Sequence, residues 1–398
     1  MTFYNPVGRD SIASIAAAMW LGTAALMVLG IQPILLAALV AENRISDAQL
    51  GRLATVEVLA IAAASAVGAA LFKSGSMRLR AALLSALLGA VNLASCFAHD
   101  APGLFVLRFL AGGFEGLLLG CTIVILTRTA TPDRVNGIFL AFQTIPQALA
   151  ALILPIYLTP RWGSSSGFVI LGALALSGVL LTPLLPRPSS GSRGAPKEEN
   201  GASEWVWTGE VLCVLLAMTL QTAGIGACME YLAQLATLHG FSAQIVGMAT
   251  SGNLVVQVLG AFIVVAVAWR LPPSAALLAG TAAQAGIALA FPIMSTGGAY
   301  IFMACLFGLF LLALGPFQVA WLIRIEPTRR VALLITPITL VGWSLGPFVA
   351  SFWVSPQSSD PAFRVAALLF VGAGSAYGLS MVLGRRGAKR RLSAHPVQ

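Results

Sequence analysis

The stretch PGLFVLRFLAGGFEGLLLGCTIVIL, residues 102–126, carries two charges, Arg108 and Glu115, in a run that is otherwise apolar or small. About 20 such residues wound as a helix cross the hydrocarbon layer of a bilayer. A helix that is apolar on nearly every face has no solvent side to present, so this one is expected to lie in lipid or deep inside a helical bundle. The rest of the chain repeats the pattern. Spans are expected near 12–40, 47–72, 79–98, 102–126, 135–158 and 167–186, and again near 205–236, 244–268, 274–294, 297–322, 331–354 and 362–384. The fold class is therefore an all-α membrane protein of twelve transmembrane helices. The expected organisation is an N-terminal six-helix bundle (1–186), a hydrophilic linker (187–204) rich in Pro, Ser and Gly, a C-terminal six-helix bundle (205–384) and a basic tail (385–398).

Composition agrees: 58% of residues are hydrophobic and 9% are charged, against roughly a quarter charged in soluble domains. The net charge of +9 has to be read by position. Arg9, Lys73, Arg78, Arg80, Arg128, Arg134, Arg187, Arg193, Lys197, Arg270, Arg324, Arg329, Arg330, Arg385, Arg386, Lys389, Arg390 and Arg391 fall on one side of the span pattern, which is 18 of the 23 basic residues. Arg44, Arg52, Arg161 and Arg364 fall on the other, and Arg108 lies within a span. Lys and Arg concentrate on the cytoplasmic side, so both termini are expected to be cytoplasmic and the protein multi-pass in the cell inner membrane. A missed helix would invert every later loop and spoil this alternation. The first apolar stretch is too long for a signal-peptide core, and no lipidation motif is evident.

A shift of 196 residues aligns the two halves without gaps. Gly30 meets Gly226, Ser46 meets Ser242, Gly51 meets Gly247, Gly112 meets Gly308, Phe114 meets Phe310, and Arg134-Val135 meets Arg330-Val331. Duplicated transporters place their binding site near the midplane between such repeats.

Two six-helix halves, a polar central linker and both ends inside resemble the major facilitator superfamily over essentially the whole chain. The run from Arg108 to Gly116, with Gly112 and Gly113 between, is similar to that superfamily's span-four signature, whose arginine the resemblance implicates in proton coupling. Gly68, Gly75, Arg78 and Arg80 are similar to the gating motif between spans two and three, although the aspartate of that motif is missing. The glycine-rich string of the drug–proton antiporters is also absent from span five, where Pro146 and Pro155 stand without it. Gly342, Gly346 and Pro347 make a similar string in span eleven.

Ionisable residues inside spans are costly and mark function. Glu57, Arg108, Glu115 and Glu230 are the candidates for proton coupling. Arg108 and Glu115 are seven residues apart and share a helix face, about 10 Å apart along the axis, and Glu57 lies at a depth from which it can reach Arg108. For Arg108 with one acid the alternative is a permanent structural pair, and for Glu230 the simpler reading is an interfacial residue reaching outward. Buried amides make the candidate substrate-binding set: Gln32, Gln143, Gln147, Gln221, Asn253, Gln257, Gln284 and Gln318. Gln143 with Gln147 and Asn253 with Gln257 are one turn apart. For each, an interhelical hydrogen bond is the bland alternative. Gly112, Gly116 and Gly120 read as packing positions.

Enzymatic activity is not expected, because His99, His239 and His395 fall outside the spans and none can activate a nucleophile there. No phosphate-binding loop is present. The five cysteines lack ligand spacing, so no metal or other cofactor is expected. The function expected is secondary active transport of a small organic solute by alternating access, proton-coupled, as a monomer. Uptake of an organic acid or nutrient by symport leads efflux of a hydrophobic or cationic compound, and a channel or transporter-like sensor follows.

Overall fold

The computed structural model describes residues 11–72, 76–129, 131–186, 207–267, 270–326, 331 and 335–394. These residues are almost entirely helical. The first half comprises α1 (Ile12–Ala41), α2 (Asp47–Leu71), α3 (Met77–Ser95), α4 (Ala101–Leu126), α5 (Pro132–Ile153), the short α6 (Thr159–Trp162) and α7 (Ser165–Leu181). The second comprises α8 (Gly209–Leu238), α9 (Ala243–Val267), α10 (Pro273–Ala290), α11 (Gly297–Ala313), α12 (Gly315–Ile325), α13 (Ile335–Ala350) and α14 (Asp360–Ala394). Eleven helical segments among the described residues are long and apolar enough to cross a membrane, and Pro337–Ala350 is a shorter twelfth. Start signals are local: the side chains of Ser11, Ser76, Asp100 and Thr208 accept from backbone N–H groups of the helices they precede, removing donors that lipid or protein interior would leave unmet.

Two details depart from the sequence reading. Span five does not end near 158: a π-turn at Leu154–Leu158, containing Pro155, joins α5 to α6, so the apolar segment runs Arg134–Trp162. Proline supplies no N–H to the helical ladder, and a wider turn accommodates the loss. The segment expected as a basic tail from 385 continues α14 as far as Ala394, because its Arg, Lys, Ala and Leu residues are good helix formers.

The most extensive packing lies between α2 and α4; in the second half α9 packs on α11 as extensively as α8 on α14. Close approach is made possible by glycine. A Cβ on Gly112 would run into the carbonyl oxygen of Glu57, and one on Gly308 into that of Asn253. Both pairs match at the 196-residue shift, so the duplication is visible in packing as well as in sequence.

The cores reveal how the halves meet. One apolar cluster takes residues from both halves at the ends remote from the basic loops, including Leu39, Leu50 and Phe168 from the first and Leu235, Phe291 and Phe363 from the second. Toward the basic side the clusters belong to one half each, and the two larger are these. One contains Ala18, Met77, Ile125 and Leu185, and the other Val214, Leu277, Phe317 and Tyr377. At the joined end, Gln234 Nε2 donates to Asp47 Oδ1 at 2.9 Å, Thr55 Oγ1 donates to the Ser344 carbonyl at 2.8 Å, and the Arg52 guanidinium lies 5.4 Å from the Phe352 ring centroid. The halves are thus clasped at the end remote from the basic loops, and their apolar cores are separate toward the basic end.

Gly113 provides the control for the α2–α4 contact, since a Cβ there meets nothing within 4 Å. Gly112→Val is expected to lower stability by about 1–3 kcal/mol through overpacking against a backbone that cannot yield, whereas Gly113→Val should lie within about 0.5 kcal/mol of the parent. Thermal unfolding in detergent, followed by size-exclusion recovery, measures the difference.

Candidate functional site

The packing of α2 on α4 brings Glu57 against Arg108. Glu57 Oε1 accepts from Arg108 Nη1 at 3.0 Å, and each side chain is 1% exposed. The second carboxylate oxygen accepts from Gln32 Nε2 of α1 at 2.9 Å. Arg108 Nη2 donates to Ser95 Oγ of α3 at 2.7 Å, and its guanidinium lies 4.9 Å from the centre of the Phe168 ring of α7. Five helices of the first half therefore converge on one charge pair. The pair is incompletely satisfied: Arg108 Nε and Gln32 Oε1 are buried without a hydrogen-bond partner.

Ser95 also carries the network outward. Its carbonyl accepts from Arg44 Nη2 at 2.6 Å, and Arg44 Nη1 donates to Ser164 Oγ at 2.7 Å. Ser164 in turn donates to Glu42 through its hydroxyl, at 2.5 Å, and its backbone N–H, at 2.6 Å. Burial lowers Arg44 from its ordinary arginine value, and neighbouring Glu42 opposes that shift. Arg44 reaches the same Phe168 ring, 5.7 Å from its centroid. A continuous polar chain thus runs from the loop between α1 and α2 to the Glu57–Arg108 pair.

Glu115 is placed differently. It is fully buried on α4, its electrostatic neighbours are Glu57 and Arg108, and neither of its oxygens has a hydrogen-bond partner. It forms no ion pair with Arg108, although the two share a helix face. Glu230 corrects the expectation that it reaches outward. It is fully buried on α8, with Oε1 accepting from Trp343 Nε1 of α13 at 3.3 Å and Oε2 unpartnered. The reason is packing, because α13 lies against α8 and its Trp343 donates to the carboxylate.

The amides divide into two groups. Gln221, Gln284 and Gln318 meet in the second half with Tyr377: Gln221 Nε2 donates to Gln284 Oε1 at 2.7 Å, Gln318 Nε2 donates to Gln221 Oε1 at 2.8 Å, and the Tyr377 hydroxyl donates to Gln221 Oε1 at 3.0 Å. Gln284 Nε2 is left over. In each helical pair one amide nitrogen is held by the backbone of a neighbouring helix. Gln147 Nε2 is taken by the Leu26 carbonyl at 2.6 Å, while half-buried Gln143 keeps a free Oε1. Asn253 donates to the Ala304 carbonyl at 2.8 Å, and Gln257 is buried.

The Asn253 bond is the repeat of the ion pair. Glu57 and Arg108 are 51 residues apart, as are Asn253 and Ala304, and the 196-residue shift carries one pair onto the other. The same crossing of helices is closed by charge in the first half and by an amide in the second. Of the glycine-and-basic motif, Gly68 packs against the Gly116–Leu117 backbone, Arg78 Nε donates to the Leu185 carbonyl at 2.7 Å, Arg80 donates to the Leu71 carbonyl, and Gly75 lies outside the described residues. Ser95, Phe168, Arg44 and Trp343 were not legible as site residues. Ser95 alone gave a signal, as a hydroxyl near the end of an apolar span.

The model of the Major Facilitator Superfamily matches residues 13–351. No curated protein matches the chain. An inward-facing, unoccupied crystal structure of a bacterial homolog of the human lysosomal transporter Spinster superposes with a TM-score of 0.68 at 15% identity, covering 93% of this chain and 95% of that one. The nucleoside transporter NupG superposes with a TM-score of 0.72 at 13% identity, covering 92% and 98%. Identities this low convey the fold alone, whereas the family match extends over most of the sequence and includes the span-four run. The chain belongs to the major facilitator superfamily, whose members are secondary transporters working by alternating access.

Proposed function

We propose that this transporter couples solute movement to protons, with Glu115 as the titrating group and the Glu57–Arg108 pair as its electrostatic partner, in an inner membrane with both termini cytoplasmic. The observation that supports this reading is the pairing imbalance around α4. Arg108 is paired with one carboxylate, leaving a second, fully buried one with neither an ion pair nor a hydrogen bond of its own. An isolated ionised carboxylate is very costly to bury, so Glu115 takes a proton while enclosed and can release it when the cavity opens to water. Glu230, enclosed beside Trp343 in the other half, is a second candidate proton site. The unused Nε of Arg108 is a donor awaiting an acceptor. An oxygen of an organic carboxylate fits it, as a charge-assisted hydrogen bond. This favours uptake of a small organic acid with a proton.

The bland reading of the charge pair, a permanent structural brace, and the coupling reading make different predictions. Glu57→Gln breaks a buried pair and leaves Arg108 uncompensated, which should cost about 3–5 kcal/mol of stability, while Glu57→Gln with Arg108→Gln should recover most of that loss. Thermal unfolding of the three proteins checks this.

Glu115→Gln removes no counter-ion and should leave the unfolding temperature unchanged or raised. In liposomes loaded with a pH-sensitive dye, the parent protein should take up one member of a panel of mono- and dicarboxylates faster under an inward proton gradient. Glu115→Gln should bind the same acid yet lose the response to the gradient. Retention of full pH dependence by both Glu115→Gln and Glu57→Gln would rule the assignment out. A cationic amphiphile driving proton release in place of a carboxylate driving proton entry would turn the reading to efflux.

A further inference from the structure

A cleft of about 600 Å³ opens on the membrane-facing side of the second half, where α8, α13 and α14 meet. Its walls are apolar, with Leu220 of α8, Val349 of α13, and Val365 and Leu368 of α14. It is wide enough for a flexible chain, since ligand pockets run from about 300 to 1,000 Å³. Leu368 is 72% exposed and Trp353, at its outer rim, 66% exposed. Above the apolar walls stands one cation, exposed Arg364, one turn into α14 from its outer end. Among the described residues Arg364 makes no ion pair or hydrogen bond; Asp360, one turn before it, is not within pairing distance.

We infer that this cleft is a binding site for an anionic phospholipid of the outer leaflet, with the headgroup phosphate on Arg364 and an acyl chain along Leu220, Val365 and Leu368. Charge and depth select this occupant. Tryptophan and arginine near a span end sit at headgroup level, and a planar guanidinium is suited to phosphate oxygens. The walls below offer an acyl chain nothing polar to desolvate. The repeat sharpens the point, because the residue at the position of Arg364 in the first half is Phe168, which is buried beneath Arg108 and Arg44. The second half presents a cation to lipid where the first packs a ring into its core.

Occupancy has a structural consequence. The α13 helix closes the outer end through the Ser344 carbonyl, which accepts from Thr55, and through Pro347, which abuts Gly51. A lipid seated against Val349 and Trp353 braces the same helix from the lipid side.

The test uses the full-length protein in nanodiscs of phosphatidylcholine doped with lipid brominated on its acyl chains, either phosphatidylglycerol or phosphatidylcholine. The Trp353 signal is the difference in emission between the parent and Trp353→Phe. Brominated phosphatidylglycerol should quench it with roughly fivefold higher apparent association than brominated phosphatidylcholine, the effect of one basic residue at an anionic surface. Arg364→Gln should make the two lipids equal and Arg364→Lys should keep most of the preference. Arg161→Gln, which removes an exposed cation of the outer side elsewhere, should leave it intact. Equal quenching by both lipids in the parent, a preference that survives Arg364→Gln, or a Trp353 signal that neither lipid quenches would overturn the site. None of these outcomes depends on proton coupling.

Discussion

Inside the hydrocarbon layer a charge has to find its partner within the protein, and the α2–α4 crossing is organised around that requirement. Glycine at Gly112 brings the α4 backbone up to the Glu57 carbonyl, close enough for the Arg108 and Glu57 side chains to meet at 3.0 Å. With a larger residue at that crossing, the helices would separate and both charges would lie in a low-dielectric interior without the Coulomb attraction that offsets their desolvation. Gln32, Ser95 and Phe168 then follow from the pair, since each supplies a hydrogen bond or a ring face that a buried arginine or carboxylate would otherwise lack.

The duplication shows which parts of that arrangement are architecture and which are local. Both halves keep the glycine, the crossing and a polar residue on the second helix. Only the first half keeps the charge. Where Arg108 projects a guanidinium, Ala304 offers only its backbone carbonyl to Asn253, so the crossing is held without an ion. Conversely, Gln221, Gln284 and Tyr377 join Gln318 in a buried amide and phenol cluster, while the corresponding first-half positions of the first three, Ala25, Leu88 and Leu181, belong to or pack on an apolar core. The first half thus carries the buried ion pair and Glu115, and the second a neutral hydrogen-bonding cluster, with Glu230 also buried there.

Much of this was legible in the sequence because lipid imposes simple rules. Span positions came from apolar length, and the Glu57–Arg108 contact from the cost of leaving either charge alone. What escaped depends on distances that a linear reading lacks. Glu230 lies in the outer part of its expected span, where a side chain can reach outward, and only the packing of α13 on α8 buries it against Trp343. Asn253 and Gln257 share a helix face in sequence, yet the Asn253 amide nitrogen goes to a neighbouring backbone and leaves its Oδ1 unpartnered. Asp47 and Gln234 sit at helix ends, where polar residues are ordinary, and only tertiary structure reveals that they join the two halves.

That last contact bears on how a transporter of this build could link its charge to its shape. Asp47, Gly51 and Thr55 follow one another at four-residue steps, one stripe of α2, and they meet α8 and α13 of the other half. Glu57 lies two residues beyond Thr55, rotated by about 200°, and faces α4 and α1. One helix therefore carries the outer clasp on one face and the buried carboxylate on the opposite face, within about 15 Å along its axis. Separation of the halves at the outer end has to break the stripe contacts, and any rotation or translation of α2 that does so is felt at Glu57, where a bond of 3.0 Å to Arg108 and one of 2.9 Å to Gln32 leave little slack. The reverse also holds: a change in the charge balance around Arg108 alters what holds α2 in place, and so biases the clasp. Such a link needs no long relay of side chains, because the coupling element is the rigid helix itself.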